Sequence, residues 1–251
     1  MALQDELKTQ GDFLFKNRSY LPLFFLVMGL GAFLYDEYMD TGEMMREMFL
    51  NYYKLFCLSI SLFGLLIRGL TVGYTPKDTS GRNTNAGQVA AEINTTGMYS
   101  LLRHPLYLGN FFMWLGLALL TENLWFTVAF ILLYWLYYER IMYAEETFLI
   151  TKFGDIYLDW AEVTPAFLPF FKSYKKPKYS FCIKKVLKKE KNGFAAIFLL
   201  FWLFDWTGSI AQQRNINFEF NFWFYAAIGS SITYFILKVM KKRKLLPETN
   251  S

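Results

Sequence analysis

A chain of 251 residues that is 54% hydrophobic and 20% aromatic carries more apolar surface than one soluble core of this length uses, so much of it must face lipid. The formal charge of +5 does not point to nucleic acid, because the basic residues cluster beside hydrophobic stretches, where they report membrane orientation. The two cysteines, Cys57 and Cys182, stand far apart without CxxC or ligand spacing, which argues against a disulfide framework or zinc site, and no metal is expected.

The N-terminal segment MALQDELKTQGDF is polar and mixed in charge, and no cleaved signal is expected from it. A first span is predicted over about Tyr20 to Tyr35, with Lys16 and Arg18 before it and Asp36, Glu37, Asp40 and Glu43 after it, which places the N-terminus in the cytoplasm. A second covers about Tyr52 to Val72, with Lys54 at its head and Arg68 near its inner end. Gly73 to Thr96 is too hydrophilic for lipid and reads as a cytoplasmic loop. Spans three and four, about Leu106 to Leu120 and Leu124 to Tyr138, are joined only by Thr121-Glu122-Asn123 and must form an antiparallel hairpin. Glu139 to Trp160 has charges at helical spacing and is expected to be an amphipathic helix along the cytoplasmic surface.

A lysine-dense run from Lys172 to Lys191 then separates this core from two more spans, about Phe194 to Ile210 and Phe222 to Val239, the last closed by Lys241, Lys242, Arg243 and Lys244. If spans alternate, both basic clusters fall on the inner side. The fold expected is therefore all-α, a polytopic membrane bundle of about six transmembrane helices with both termini cytoplasmic, in a bacterial inner membrane. Residues 1–171 would form the core and 172–251 a basic loop plus two C-terminal helices.

Polar residues at a membrane boundary are costly unless satisfied, which makes clusters of them site candidates. The first runs from Gly97 to Asn110 and holds the chain's single histidine, His104. Pro105 is suited to a first helical turn, so span three would begin there with its positive dipole end toward the cytoplasm. Tyr107 and Asn110 leave that turn at three-residue spacing, near enough to share a ligand. The second cluster is Glu139-Arg140, Glu145-Glu146 and Phe153-Gly154-Asp155-Ile156-Tyr157. Adjacent glutamates point about 100° apart, so only one of Glu145 and Glu146 can face a given pocket directly. Headgroup anchoring for the first cluster, and a solvated helix face for the second, remain the competing structural readings.

Arg103-His104-Pro105 with Tyr107 and Gly109, preceded by Gly97-x-Tyr99 and followed by Glu145-Glu146-x-x-Leu149, Phe153-Gly154-x-x-Tyr157, Pro165 and Pro169, resembles the isoprenylcysteine carboxyl methyltransferase family, itself similar to the phospholipid N-methyltransferases. The resemblance covers about 97–169. It implies a membrane methyltransferase using S-adenosylmethionine, held by Tyr99, by His104, Pro105, Leu106 and Tyr107, and by Glu145. It also implies an arginine facing the acceptor. The family arginine stands four residues before the first glutamate, where this chain has Ile141, so Arg140 and Arg103 compete for that role. A family histidine falls near Ala91, and this chain has none there.

The implied partner is a membrane lipid or lipid-anchored acceptor with an anionic group, which an arginine fork suits. Methyl transfer to an anion needs alignment and exclusion of water more than an acid or base. The dense lysines and extra helices make a lipid A phosphate the first expectation for the acceptor. A prenylcysteine carboxylate or phospholipid headgroup is the alternative. A non-catalytic membrane protein sharing the hairpin is the other class, to be marked by charged residues lining a path through several spans.

Overall fold

The computed structural model describes residues 2–18, 20–39, 44–76, 82–84, 87–216 and 218–246. In chain order the helices are α1 (Leu3–Lys16), α2 (Leu21–Met39), α3 (Met44–Tyr74), α4 (Met98–Leu101), α5 (Pro105–Leu119), α6 (Leu124–Phe153), α7 (Asp155–Val163), α8 (Ile183–Gln213) and α9 (Phe222–Lys242). A three-residue antiparallel pair, β1 (Arg82–Thr84) and β2 (Gly87–Val89), lies within the polar loop. Residues 77–81, 85 and 86 of that loop, and Asp40 and Glu43 of the acidic segment, fall outside the described residues.

The protein is an integral membrane helix bundle. Among the described residues, Asn51–Tyr74, Ile183–Gln213 and Phe222–Lys242 are each long and apolar enough to cross a bilayer, and Pro105–Leu119 is a shorter apolar helix. The six expected spans correspond to α2, α3, α5, the first half of α6, α8 and α9. Pro105 does open α5, and Asn123 caps α6 by accepting from the Phe126 N–H at 2.9 Å, which fixes the tight α5–α6 hairpin.

The sequence reading misplaces three boundaries. The polar N-terminus is an amphipathic helix, α1, packed along α6, with Phe15 buried between them. No break occurs near Glu139: α6 continues for 30 residues, about 45 Å at the usual rise, longer than the roughly 30 Å of a hydrocarbon layer. The break comes at Gly154, whose φ of 56° lies in the left-handed region that glycine adopts without strain, and α7 follows. The basic run is a loop only as far as Cys182, and Lys184 to Lys191 form the first turns of α8.

Helices α3 and α5 pack closely because small residues face each other. A Cβ on Gly109 would stand 2.8 Å from the Gly64 carbonyl and 2.5 Å from Arg68 Cγ. Helix α8 packs on α2 and α3, and α9 packs on α8. Near the opposite end of the bundle, Asp205 accepts from Lys54 at 2.7 Å and from Asn221 at 2.6 Å, tying α8 to α3 and to the start of α9. The charge inside span five thus serves helix packing.

Candidate functional site

The ends of α3, α5, α6, α7, α8 and α9 converge with the segment before α4 around a cavity of about 600 Å³, within the roughly 300–1,000 Å³ usual for small-molecule sites. Its chemistry begins at the α5 N-terminus. His104 is the N-cap residue, yet its side chain makes no capping bond and reaches α6 instead. There Nε2 lies 2.7 Å from Glu146 Oε1, and Nδ1 lies 3.6 Å from Glu145 Oε2. One turn on, the Tyr107 hydroxyl donates to Glu145 Oε2 at 2.8 Å, and the His104 and Tyr107 rings stack 5.6 Å apart. Tyr134 holds this turn from behind by donating to the Tyr107 carbonyl at 2.7 Å.

The electrostatics follow from burial and pairing. Burial alone would lower the His104 pKa, but hydrogen bonds to Glu145 and Glu146 and their charges outweigh it and hold the imidazole above its ordinary 6.5. Burial alone would raise the Glu145 pKa, but His104, the Tyr107 hydroxyl and the Arg18 charge hold it below the ordinary 4.5. Both shifts favour the charged forms of His104 and Glu145 beside each other. Both glutamates touch His104, but only Glu145 lines the cavity, in keeping with the 100° between neighbours on a helix.

A second buried network closes the far wall. Arg68 on α3 donates to both oxygens of Glu190 on α8, at 2.7 and 2.9 Å, and to Asn110 Oδ1 on α5 at 2.7 Å. Asn110 is the polar residue that the sequence places one turn after Tyr107. Arg68 was visible there only as a charge near a span end, and such a charge implies a partner. Glu190 is hidden inside a lysine run, and no periodicity singles it out. Arg18 and Asn94 also line the cavity and carry no motif.

The structure brings Tyr99, Arg103, His104, Pro105, Leu106, Tyr107 and Glu145 together as lining residues. It does not bring Arg140. That side chain lies on the α1 side of α6, donating to Gln10 Oε1 at 2.9 Å and to the Leu136 carbonyl at 2.8 Å. Ile141, where the family arginine stands, is fully buried in the core. The one-residue shift has turned the arginine away from the cavity. Among the described residues no cluster of His, Cys, Asp and Glu is arranged to hold a metal ion.

S-adenosylmethionine suits this lining by its chemistry. A carboxylate beside the Tyr99 and Tyr107 rings favours a sulfonium or ammonium.

Residues 63–156 match the family model described as phospholipid methyltransferase. The cobalt-zinc-cadmium resistance protein CzcN of Cupriavidus metallidurans is 38% identical over 96 residues, covering 38% of this chain and 41% of the relative. The protein-S-isoprenylcysteine O-methyltransferase of Schizosaccharomyces pombe is 37% identical over 76 residues, 30% of this chain and 32% of the relative. Its namesake in Tribolium castaneum is 32% identical over 81 residues, 32% of this chain and 29% of the relative. The resemblance drawn from the motifs is borne out over this segment. The chain spans less than half the length of these curated relatives. No solved structure matches.

Proposed function

We propose that this chain is a membrane methyltransferase that binds S-adenosylmethionine in the 600 Å³ cavity and methylates an anionic group on a lipid or lipid-anchored acceptor. The observation that carries the reading is the bonding of Tyr107 and His104 to Glu145 and Glu146, inside the segment similar to methyltransferases. When bound, the cofactor supplies a methyl group activated on a positively charged sulfur. Glu145 and the tyrosine rings hold that positive charge, and the His104 imidazolium keeps the glutamate pair in place. An acceptor that arrives as an anion needs alignment against the methyl group and no base.

Among the described lining residues, seven are Arg or Lys (Arg18, Arg68, Arg103, Lys188, Lys189, Lys191, Lys241) and three are Glu (Glu92, Glu145, Glu190), which supports an anionic acceptor. Nothing in the names of the similar proteins carries a lipid A phosphate. They favour a carboxylate of the prenylcysteine type, with a phospholipid headgroup as the second reading, which the family description favours. The cations sit at one end of the bundle, which supports a cytoplasmic opening. Incubating the purified protein with methyl-labelled cofactor and either an S-prenylated cysteine or phospholipid vesicles tests the reading. Label in the prenylcysteine fraction supports it, label in phospholipid supports the second reading, and label in neither overturns both.

A further inference from the structure

Three buried donor atoms at the α7 side of the cavity find no acceptor among the described residues: Arg103 Nε, Tyr157 OH and Trp160 Nε1. Tyr157 and Trp160 stand three residues apart on one face of α7, their rings 5.4 Å apart, and Tyr157 is only 1% exposed. Glu146 is near but already engaged. Its Oε1 binds His104 Nε2 at 2.7 Å, stands 3.2 Å from Arg103 Nε as an ion pair, and also acts on the Tyr157 hydroxyl, so this one carboxylate is shared among several donors. Buried donors are almost always hydrogen-bonded in folded proteins, so three that line one cavity without a hydrogen bond of good geometry, beside a single shared carboxylate, call for a ligand that brings further lone pairs.

Arg103 also lines a second opening, of about 460 Å³, between the last turn of α7 and the segment 165–170. That segment is fixed by the hydrogen bonds that Arg103 N and His104 N donate to the carbonyls of Pro165 and Ala166. Val163, Leu168 and Phe170 line the opening and are 64%, 73% and 50% exposed, with Glu162 as its acidic member. An apolar groove thus leads to the guanidinium that borders the main cavity.

We propose that Arg103, Tyr157 and Trp160 form the subsite for the acceptor's anionic group, and that the acceptor's apolar chain lies in the opening along Val163, Leu168 and Phe170. This rests on the methyltransferase reading. Donors alone, one of them cationic, suit a carboxylate and repel a sulfonium, which belongs on the Glu145 side. In-line transfer requires the two subsites to adjoin, and Arg103 and His104 are neighbours in the chain.

Tyr157→Phe deletes one donor atom and keeps the ring, Trp160→Phe removes the indole N–H together with part of the bicycle, and Arg103→Lys replaces the fork by a point charge. In detergent-purified full-length protein, binding of S-adenosylmethionine and of an S-prenylated cysteine is measured for each variant, with the methyl ester of that cysteine as control. The free carboxylate is expected to bind about tenfold more weakly in each variant, the ester unchanged, and the cofactor within about twofold of the parent. Without ligand, Tyr157→Phe should melt near the parent temperature, because it removes a poorly bonded buried hydroxyl without opening a cavity. Weaker cofactor binding with unchanged carboxylate binding would overturn the proposal and give the donors to the cofactor. Carboxylate binding unmoved in all three variants, or a parent that binds no carboxylate, overturns it as well. If the parent binds no cofactor, it is the methyltransferase reading that fails, and the two failures are told apart.

Discussion

The Tyr107 hydroxyl on the first turn of α5 donates a 2.8 Å hydrogen bond to Glu145 Oε2, in the C-terminal half of α6. The bond ties the start of one helix to the end of its hairpin partner across the cavity. Tyr107→Phe should therefore weaken S-adenosylmethionine binding by about tenfold, since a charge-assisted bond contributes roughly 1.5–3 kcal/mol and its loss frees the carboxylate to turn. Titration calorimetry on the variant reads this directly, and an unchanged affinity would remove Tyr107 from the site.

The His104 and Glu145 pairing predicts a stability plateau in pH. A histidine whose pKa is raised by folding adds stability that is full below its ordinary 6.5 and is lost as pH rises through the higher folded value. A carboxylate whose pKa is lowered adds stability that is full above its ordinary 4.5 and is lost as pH falls through the lower folded value. Both contributions are complete between about 4.5 and 6.5. Melting temperatures across pH should decline on the alkaline side of that window, and His104→Gln should flatten the decline. An equal alkaline decline in His104→Gln would show that another group causes it.

Removing one partner from the Arg68–Glu190 pair leaves a charge uncompensated in a largely buried place. Glu190→Gln should lower stability by about 3 kcal/mol, seen as a lower melting temperature in detergent, and should loosen α8 from α3. A melting temperature within error of the parent would mean the pair contributes little to holding the helices.

Arg140→Ala should leave cofactor affinity and methyl transfer near normal, with a stability change of about 1 kcal/mol or less, because its bonds run to Gln10 and a backbone carbonyl away from the cavity. A loss of transfer approaching that of Arg103→Ala would return Arg140 to the acceptor.

Residues whose roles are local were legible in the sequence. Pro105 announced the start of α5, Asn123 closed a hairpin too short to be anything else, and the composition demanded lipid. The motif residues Tyr99, Arg103 to Tyr107 and Glu145 all line one cavity. What the sequence hid depends on contacts far along the chain. Glu190 becomes a wall of the cavity only because α8 returns to pack on α3, 122 residues from Arg68. Tyr157 stood in the motif, but Trp160 reads as the end of an amphipathic face until the break at Gly154 turns α7 toward the cavity. The polarity of the first 16 residues masked α1, whose burial is confined to Gly11 and Phe15.

The central claim is that this cavity holds S-adenosylmethionine beside Glu145, and the direct test is calorimetric titration of the cofactor into detergent-purified protein and its Glu145→Gln variant. The substitution keeps the shape and removes the charge that faces the sulfonium, so saturable binding in the parent and a loss of about tenfold or more in the variant are predicted. Equal affinity in the two proteins, or no binding in the parent, would contradict the account.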